Sequence, residues 1–287
     1  MIVVTGATGH LGPIVIEELL ARGVPAEEIV AAVRTPEKAA GLAERGVRVR
    51  RADYDDPESL ASAFAGADRV LLVSGTDVGQ RVPQHRNAVE AARAAGVKLL
   101  AYTSILNADT TKLVLAADHQ ATEAIIRESG VPFVLLRNGF YLDLYTEGFA
   151  QNLEHGAIVD ASGDGKMSVA TRADFAAAAA AVLTTEGHEN KAYELGSDWA
   201  FTVPALAAEL SRQTGRTVVY NDLTPAEYTE FLAGVGVPRP MAEVLADTRV
   251  GVLRGELFTD SGDLSRLLGR PTTSLADAVA AALKELG

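Results

Sequence analysis

The chain opens with short, almost continuously apolar runs, separated by stretches in which apolar residues return at helical spacing. Residues 2–4, 29–33, 47–49, 70–73, 99–103 and 133–136 read as strands. Residues 11–20, 83–95 and 115–128 read as helices, another is entered at Pro57, and Thr35-Pro36-Glu37-Lys38 has the chemistry of a helix start. There Thr35 can cap and Pro36 suits the first turn. Strands without polar alternation are buried on both faces, and helices between them imply right-handed crossovers. The pattern predicts an α/β fold with a doubly wound parallel sheet.

After about residue 138 the connections lengthen and strands become sparse. Helices are expected at 174–183, at 204–213 with Thr202 near its start, after Thr224-Pro225, at 238–246 and at 275–286, with short strands at 192–195 and 218–220. The alanine run at 176–181 suits close helix packing. The expected organisation is a first domain over residues 1–137 and a lobe mainly over 138–287, with a segment near 170–200 returning to the first domain.

Composition narrows the chemistry. The 287 residues include no cysteine, which excludes disulfides, a thiolate nucleophile and sulfur-ligated metal centres. The five histidines lack metal-like spacing, so no metal site is expected. A net charge of −12 argues against broad nucleic-acid binding. No apolar run reaches the roughly 18 residues of a membrane span, and the N-terminus lacks a basic leader, so a cytoplasmic setting is expected.

The most informative segment is Thr5-Gly6-Ala7-Thr8-Gly9-His10-Leu11-Gly12, between the first strand and the first helix. Gly6 can make a tight turn, Gly9 lets backbone amides approach a pyrophosphate, and Gly12 lets helix and strand pack closely. The helix N-terminus then offers unpaired N–H groups and partial positive charge. This spacing predicts a dinucleotide site. The second strand ends in Arg34 where a ribose-binding acid is usual for NAD, which favours a 2′-phosphate and NADP(H). Residues 34–51 hold six cations (Arg34, Lys38, Arg45, Arg48, Arg50, Arg51) against Glu37 and Glu44. Arg34 is the first candidate for the phosphate and Lys38 the second.

The glycine turn, Val33-Arg34, Ala52-Asp53 and Tyr102-Thr103-Ser104 resemble the NmrA-like group of atypical short-chain dehydrogenases. Residues 79–87, 135–141, 163–166 and 170–174 are similar to quinone-reducing bacterial members of that group, and the likeness runs over essentially the full length. The resemblance implies a Rossmann-type sheet of order 3-2-1-4-5-6-7 and a small C-terminal substrate lobe. It also implies cofactor contacts along Thr5, Gly6, Ala7, Thr8, Gly9, His10, Leu11 and Gly12, with Arg34 on the 2′-phosphate. Asp53 is implied near the adenine, Ser74, Gly75 and Thr76 near the riboses, and Ser104 at the end of the fifth strand. Asn138, Gly139, Phe140 and Tyr141 are implied beside the nicotinamide. Thr171, Arg172 and Asp174 either close on the cofactor or form an ordinary helix start with a surface arginine.

Ordinary short-chain dehydrogenases use a Tyr-x-x-x-Lys pair, and no such pair exists in this chain. Aligned on Glu123 with the related group, Leu115 takes the tyrosine position and His119 the lysine position. Leucine cannot donate a proton. An acceptor that is already reactive tolerates the loss of general-acid assistance, worth about 10²–10⁴-fold for a demanding carbonyl. The expectation is direct hydride transfer from NADPH to a quinone or other activated small-molecule acceptor, by a monomer or homodimer without nucleic-acid or membrane partners. No catalytic side chain is assigned; His119 is the candidate, either on a ribose hydroxyl or as a structural histidine. Phe140, Tyr141 and Leu106 are expected at the acceptor, with Val78, Gln84 and His85 opposite. Core packing is the other reading of Phe140, and capping of a helix start that of His85. Two other functions fit the missing acid: reduction of triphenylmethane-type dyes, and a non-catalytic NADP sensor.

Overall fold

A computed structural model describes residues 1–77 and 79–286 of the chain. Nine strands and thirteen α-helices run through the described residues. Chain order is β1 (Ile2–Thr5), α1 (Gly12–Ala21), β2 (Ile29–Val33), α2 (Ala40–Glu44), β3 (Arg48–Arg51), α3 (Pro57–Phe64), β4 (Arg69–Leu72), α4 (Arg81–Ala94), β5 (Leu99–Ile105), α5 (Ala116–Glu128), β6 (Phe133–Asn138) and α6 (Asp143–Thr146). There follow α7 (Phe149–His155), β7 (Ala157–Asp160), α8 (Arg172–Thr184), β8 (Lys191–Leu195), α9 (Val203–Thr214), β9 (Val219–Asp222), α10 (Pro225–Gly234), α11 (Arg239–Leu253), α12 (Asp263–Leu268) and α13 (Leu275–Leu286).

The chain folds as two compact units. Unit 1 comprises Met1–Ile105, Asp118–Asn138 and Arg172–Tyr193; unit 2 comprises Leu106–Ala117, Gly139–Thr171 and Glu194–Gly287. The main sheet has seven strands in the order β3-β2-β1-β4-β5-β6-β8. Every pairing from β3 through β6 is parallel. In register, Val3 lies opposite both Val30 and Val70, and Ala101 lies opposite Leu71 and Val134. Successive residues point to opposite faces. Val3, Val70, Leu72, Leu100, Tyr102 and Leu135 therefore share one face, packed with Leu60 and Phe64 of α3, Val89 of α4 and Ile126 of α5. Elsewhere in unit 1, α1 packs along α8, and Arg22 reaches the carbonyl of Ala177 at 3.3 Å. The alanines of α8 are the small side chains that permit this approach.

The seventh position in the sheet belongs to β8, because β7 leaves the sheet and pairs in parallel with β9 in unit 2. The reading of Thr35 as a helix cap is corrected: its hydroxyl caps nothing, and Pro36–Ala39 is a single 3-10 turn before α2. Helix α4 begins two residues before Pro83, whose missing N–H costs nothing in a first turn. Thr202 does cap α9, its hydroxyl accepting the N–H of Ala205 at 3.3 Å. Thr224 and Glu227 form a reciprocal capping box at α10.

Candidate functional site

In unit 1 the turn after β1 is built for close approach. Gly6 has φ +59°, and its carbonyl accepts the N–H of Gly9 at 2.9 Å. A Cβ on Gly12 would lie 2.4 Å from the Gly6 carbonyl oxygen and 2.8 Å from the Cα of Ala7, so only glycine lets α1 start there. Ala7 and Leu11 are buried, anchoring the turn, while Gly6, Thr8, Gly9 and His10 are exposed. No side chain caps α1 at Leu11. Pro13 carries no N–H, so Gly12 and Ile14 supply the first amides of this uncapped end, with the helix dipole behind them.

Thr5 supports this turn from beneath. Its buried hydroxyl donates to the Leu71 carbonyl at 3.0 Å, accepts the Val73 N–H at 2.9 Å and lies 2.6 Å from the hydroxyl of Tyr54. Tyr54 in turn donates to the Val73 carbonyl at 2.7 Å. Burial pushes the Tyr54 hydroxyl well above its ordinary pKa. Tyr54 has no local signature in the chain, because its role arises only where β1, β3 and β4 converge.

The cation-rich segment sorts itself by partner. Arg45 is paired with Glu17, Arg51 with Asp56 and more distantly Asp53, and Arg50 donates to the carbonyls of Ala63 and Ala65 at 2.9 Å. Arg34 and Lys38 are exposed and form no salt bridge among the described residues. Arg34 follows β2 directly, and Arg51 sits opposite Val33 in register. Two exposed cations without a salt bridge among the described residues thus lie just beyond the end of β2. Asp53 is half-buried, and its carboxylate accepts the N–H of Asp55 at 3.1 Å.

The loop after β4 is held by three side chains. Ser74 donates its N–H to Thr103 Oγ1 at 2.8 Å, Gly75 donates its N–H to His85 Nε2 at 3.0 Å, and Arg81 Nε donates to the Gly75 carbonyl at 2.5 Å. Thr76 beyond them is exposed. His85 is 0% exposed, so it anchors this loop and faces no acceptor. Its ring also lies 2.9 Å from Thr122 Oγ1 through Nδ1. Gln84 is likewise buried and donates to the Asp55 carboxylate at 3.1–3.2 Å. Val78 lies outside the described residues.

Behind β5, Tyr102 and Ser104 project from one face onto His119 and Glu123, which share a face of α5. The Tyr102 hydroxyl meets His119 Nδ1 at 2.8 Å. Ser104 donates to Glu123 Oε1 at 2.6 Å, and Arg137 holds the same carboxylate through Nε at 3.0 Å and Nη2 at 2.7 Å. Burial, assisted by Arg81, lowers the pKa of His85 to about 4. The same causes, with His85 added, lower His119 to about 3. Both imidazoles are neutral near pH 7. His119 is therefore a poor acid, and its Nδ1 is occupied by Tyr102. Asp174 is wholly buried in the first turn of α8, where a negative charge suits the helix dipole; Arg172 is half-buried rather than fully exposed.

In unit 2, Gly139 donates its N–H to the Leu195 carbonyl at 2.7 Å, and a Cβ there would lie 2.5 Å from the carbonyl oxygen of Ser168. Phe140 and Leu142 bond to Ala170 through the backbone, and Tyr141 bridges it. Phe140, Tyr141 and Thr171 are half-buried, whereas Leu106 is fully buried and offers no open face. The sequence also failed to reveal Arg249. Its Nε faces Asp160 Oδ2 at 2.6 Å, and its guanidinium stands 5.4 Å from the ring centre of Phe140.

A doubly wound sheet whose first turn presents an uncapped helix end, with an exposed arginine after the second strand that makes no salt bridge among the described residues, defines a dinucleotide-binding protein of Rossmann type. The chain belongs to the NmrA-like family, whose model matches residues 1–265. It is 52% identical over 279 residues to Quinone oxidoreductase 2 of Escherichia coli (strain K12), covering 97% of each chain. A crystal structure of the NADPH-dependent quinone oxidoreductase of Escherichia coli complexed with NADPH superposes with a TM-score of 0.95 at 51% identity, covering 99% of this chain and 100% of that one. The Citrobacter sp. triphenylmethane reductase complexed with NADP(H) superposes with a TM-score of 0.94 at 44% identity, covering 98% of this chain and 100% of that one.

Proposed function

We propose that the chain is an NADPH-dependent oxidoreductase that reduces a quinone to its hydroquinone by two-electron transfer. The overall change is quinone plus NADPH plus a proton to hydroquinone plus NADP⁺. The observation that carries the reading is the unneutralised Arg34 after β2, beside a glycine turn that leaves the first amides of α1 open. NADPH, when bound, supplies the hydride. The turn at 6–12 would hold the pyrophosphate, Arg34 with Lys38 the 2′-phosphate, and the pinned loop at Ser74-Gly75 the riboses.

The chain's own residues then do little proton chemistry. No Tyr-x-x-x-Lys pair exists, His85 and His119 are neutral and buried, and burial raises the Tyr102 hydroxyl far from neutrality. The proton for the second oxygen comes from solvent. The protein's contribution is to orient the acceptor in near-attack geometry, with Phe140 and Tyr141 offering flat faces to a flat ring. No helix among the described residues is long and apolar enough to cross a membrane. A cytoplasmic enzyme, monomeric or homodimeric, fits the acidic, cysteine-free composition.

A second reading has its own support in the likeness to a triphenylmethane reductase. A carbocation takes a hydride with no proton donor, so the missing acid fits it equally. Initial rates of NADPH oxidation with a quinone panel and a cationic dye separate the two. Faster turnover of the dye than of any quinone overturns the first reading.

A further inference from the structure

Unit 2 contains an ion pair whose position the function above does not require. Arg249 is 6% exposed and Asp160 1%. Burying such a pair is costly and seldom justified by stability alone. Three rings surround the guanidinium: its carbon lies 5.4 Å from the centre of Phe140, 5.4 Å from that of Tyr145 and 5.6 Å from that of Tyr228. The charges are shared unequally. Asp160 also accepts the hydroxyl of Ser162 through Oδ1, whereas Arg249 Nη1 is buried with no hydrogen-bond partner among the described residues. The guanidinium carbon, at the positive end of the pair, lies within 5.6 Å of all three ring centres.

We infer that Arg249, set behind Phe140, makes the acceptor face selective for neutral rings and against cationic ones. The inference rests on the reading that Phe140 lines the acceptor. A cation over one face of an aromatic ring draws on the same quadrupole that would attract a second cation to the other face. The fixed charge also repels that second cation directly. A neutral quinone suffers neither effect, and it gains as hydride transfer places negative charge on its oxygen. Arg249 touches no reacting atom in this account and is a positioning and specificity residue.

The test compares wild type with Arg249→Lys, which keeps the charge, and with Arg249→Met combined with Asp160→Asn, which removes both charges without stranding either. Dissociation constants for a neutral benzoquinone and a cationic triphenylmethane dye are measured with NADP⁺ present, so that nothing turns over. In the double variant the affinity ratio of dye to quinone should rise by about three- to ten-fold, the scale of one partly compensated charge on the far side of an aromatic ring. The lysine variant should keep the wild-type ratio. Where that double variant does not fold, Arg249→Gln combined with Asp160→Asn, compared with Arg249→Lys, supplies the same contrast. Equal loss of both ligands, with the ratio unchanged, overturns the inference and leaves a structural pair. Failure of the wild-type protein to oxidise NADPH with any quinone overturns the proposed function itself, a separate result.

Discussion

The Nε2 atom of His85 accepts the backbone N–H of Gly75 at 3.0 Å. An accepting Nε2 leaves the proton on Nδ1, which then donates to Thr122 Oγ1 at 2.9 Å, and Thr122 donates onward to the Asp118 carbonyl at 2.8 Å. One tautomer is thus fixed by a chain from β4 to α5. His85→Ala should destabilise the protein by about 3 kcal/mol, from a buried cavity and a stranded amide. It should also raise KM for NADPH by freeing the Ser74-Gly75 loop. Urea unfolding and NADPH titration check the two effects; unchanged NADPH affinity would show that the loop does not serve the cofactor.

The same burial makes stability depend on pH. His85 titrates at about 4 and His119 at about 3 in the folded protein, against an ordinary value of 6.5. On acidification the unfolded chain takes up these protons first. The stabilisation is complete above about pH 6.5 and is lost as pH falls toward the folded values. Two such groups give a slope approaching about 2.7 kcal/mol per pH unit below pH 6. Carboxylates held low at about 2, such as Glu209 and Glu256, add their loss only in the more acidic range. Equilibrium unfolding at pH 7 and pH 5 measures the slope, and His119→Phe should make it shallower.

Gly12→Ala places a Cβ 2.4 Å from the Gly6 carbonyl oxygen, so the turn must move. NADPH affinity should fall about ten-fold or more, since that turn is the one proposed to hold the pyrophosphate. Gly41→Ala is the control: it lies in α2 with nothing within 4 Å of its added Cβ. That variant should leave NADPH affinity unchanged and match or slightly exceed wild-type stability. Calorimetric NADPH binding distinguishes the pair.

Much of this was legible from pattern alone. Continuous apolar runs marked five of the six strands from β1 through β6, because a strand buried on both faces has no room for polar residues. The edge strand β3 is an exception, Arg48-Val49-Arg50-Arg51, and only its first apolar positions announced it. Strand β7 escaped notice since it is four residues long and buries only Ile158 and Asp160. The site divides the same way. Gly6, Gly12 and Arg34 declare themselves by spacing from a strand end. Tyr54, Arg81 and Arg249 do not, because their partners lie from 6 to 89 residues away and no local rule links them. His85 and Gln84 were expected at an acceptor, yet polar side chains on the inner face of α4 serve the loop backbone and Asp55 instead.

The proposed reaction is hydride transfer from NADPH, selected by Arg34, to a quinone. It is tested most directly by initial rates of quinone reduction with NADPH and with NADH, for wild type and Arg34→Ala. A guanidinium paired with phosphate contributes roughly 1.5–3 kcal/mol. Wild type should therefore show a clear NADPH preference that shrinks about 10- to 100-fold in the variant, through KM for NADPH, with NADH kinetics unchanged. A wild-type protein that prefers NADH, or an Arg34→Ala variant that keeps the NADPH preference, would contradict it.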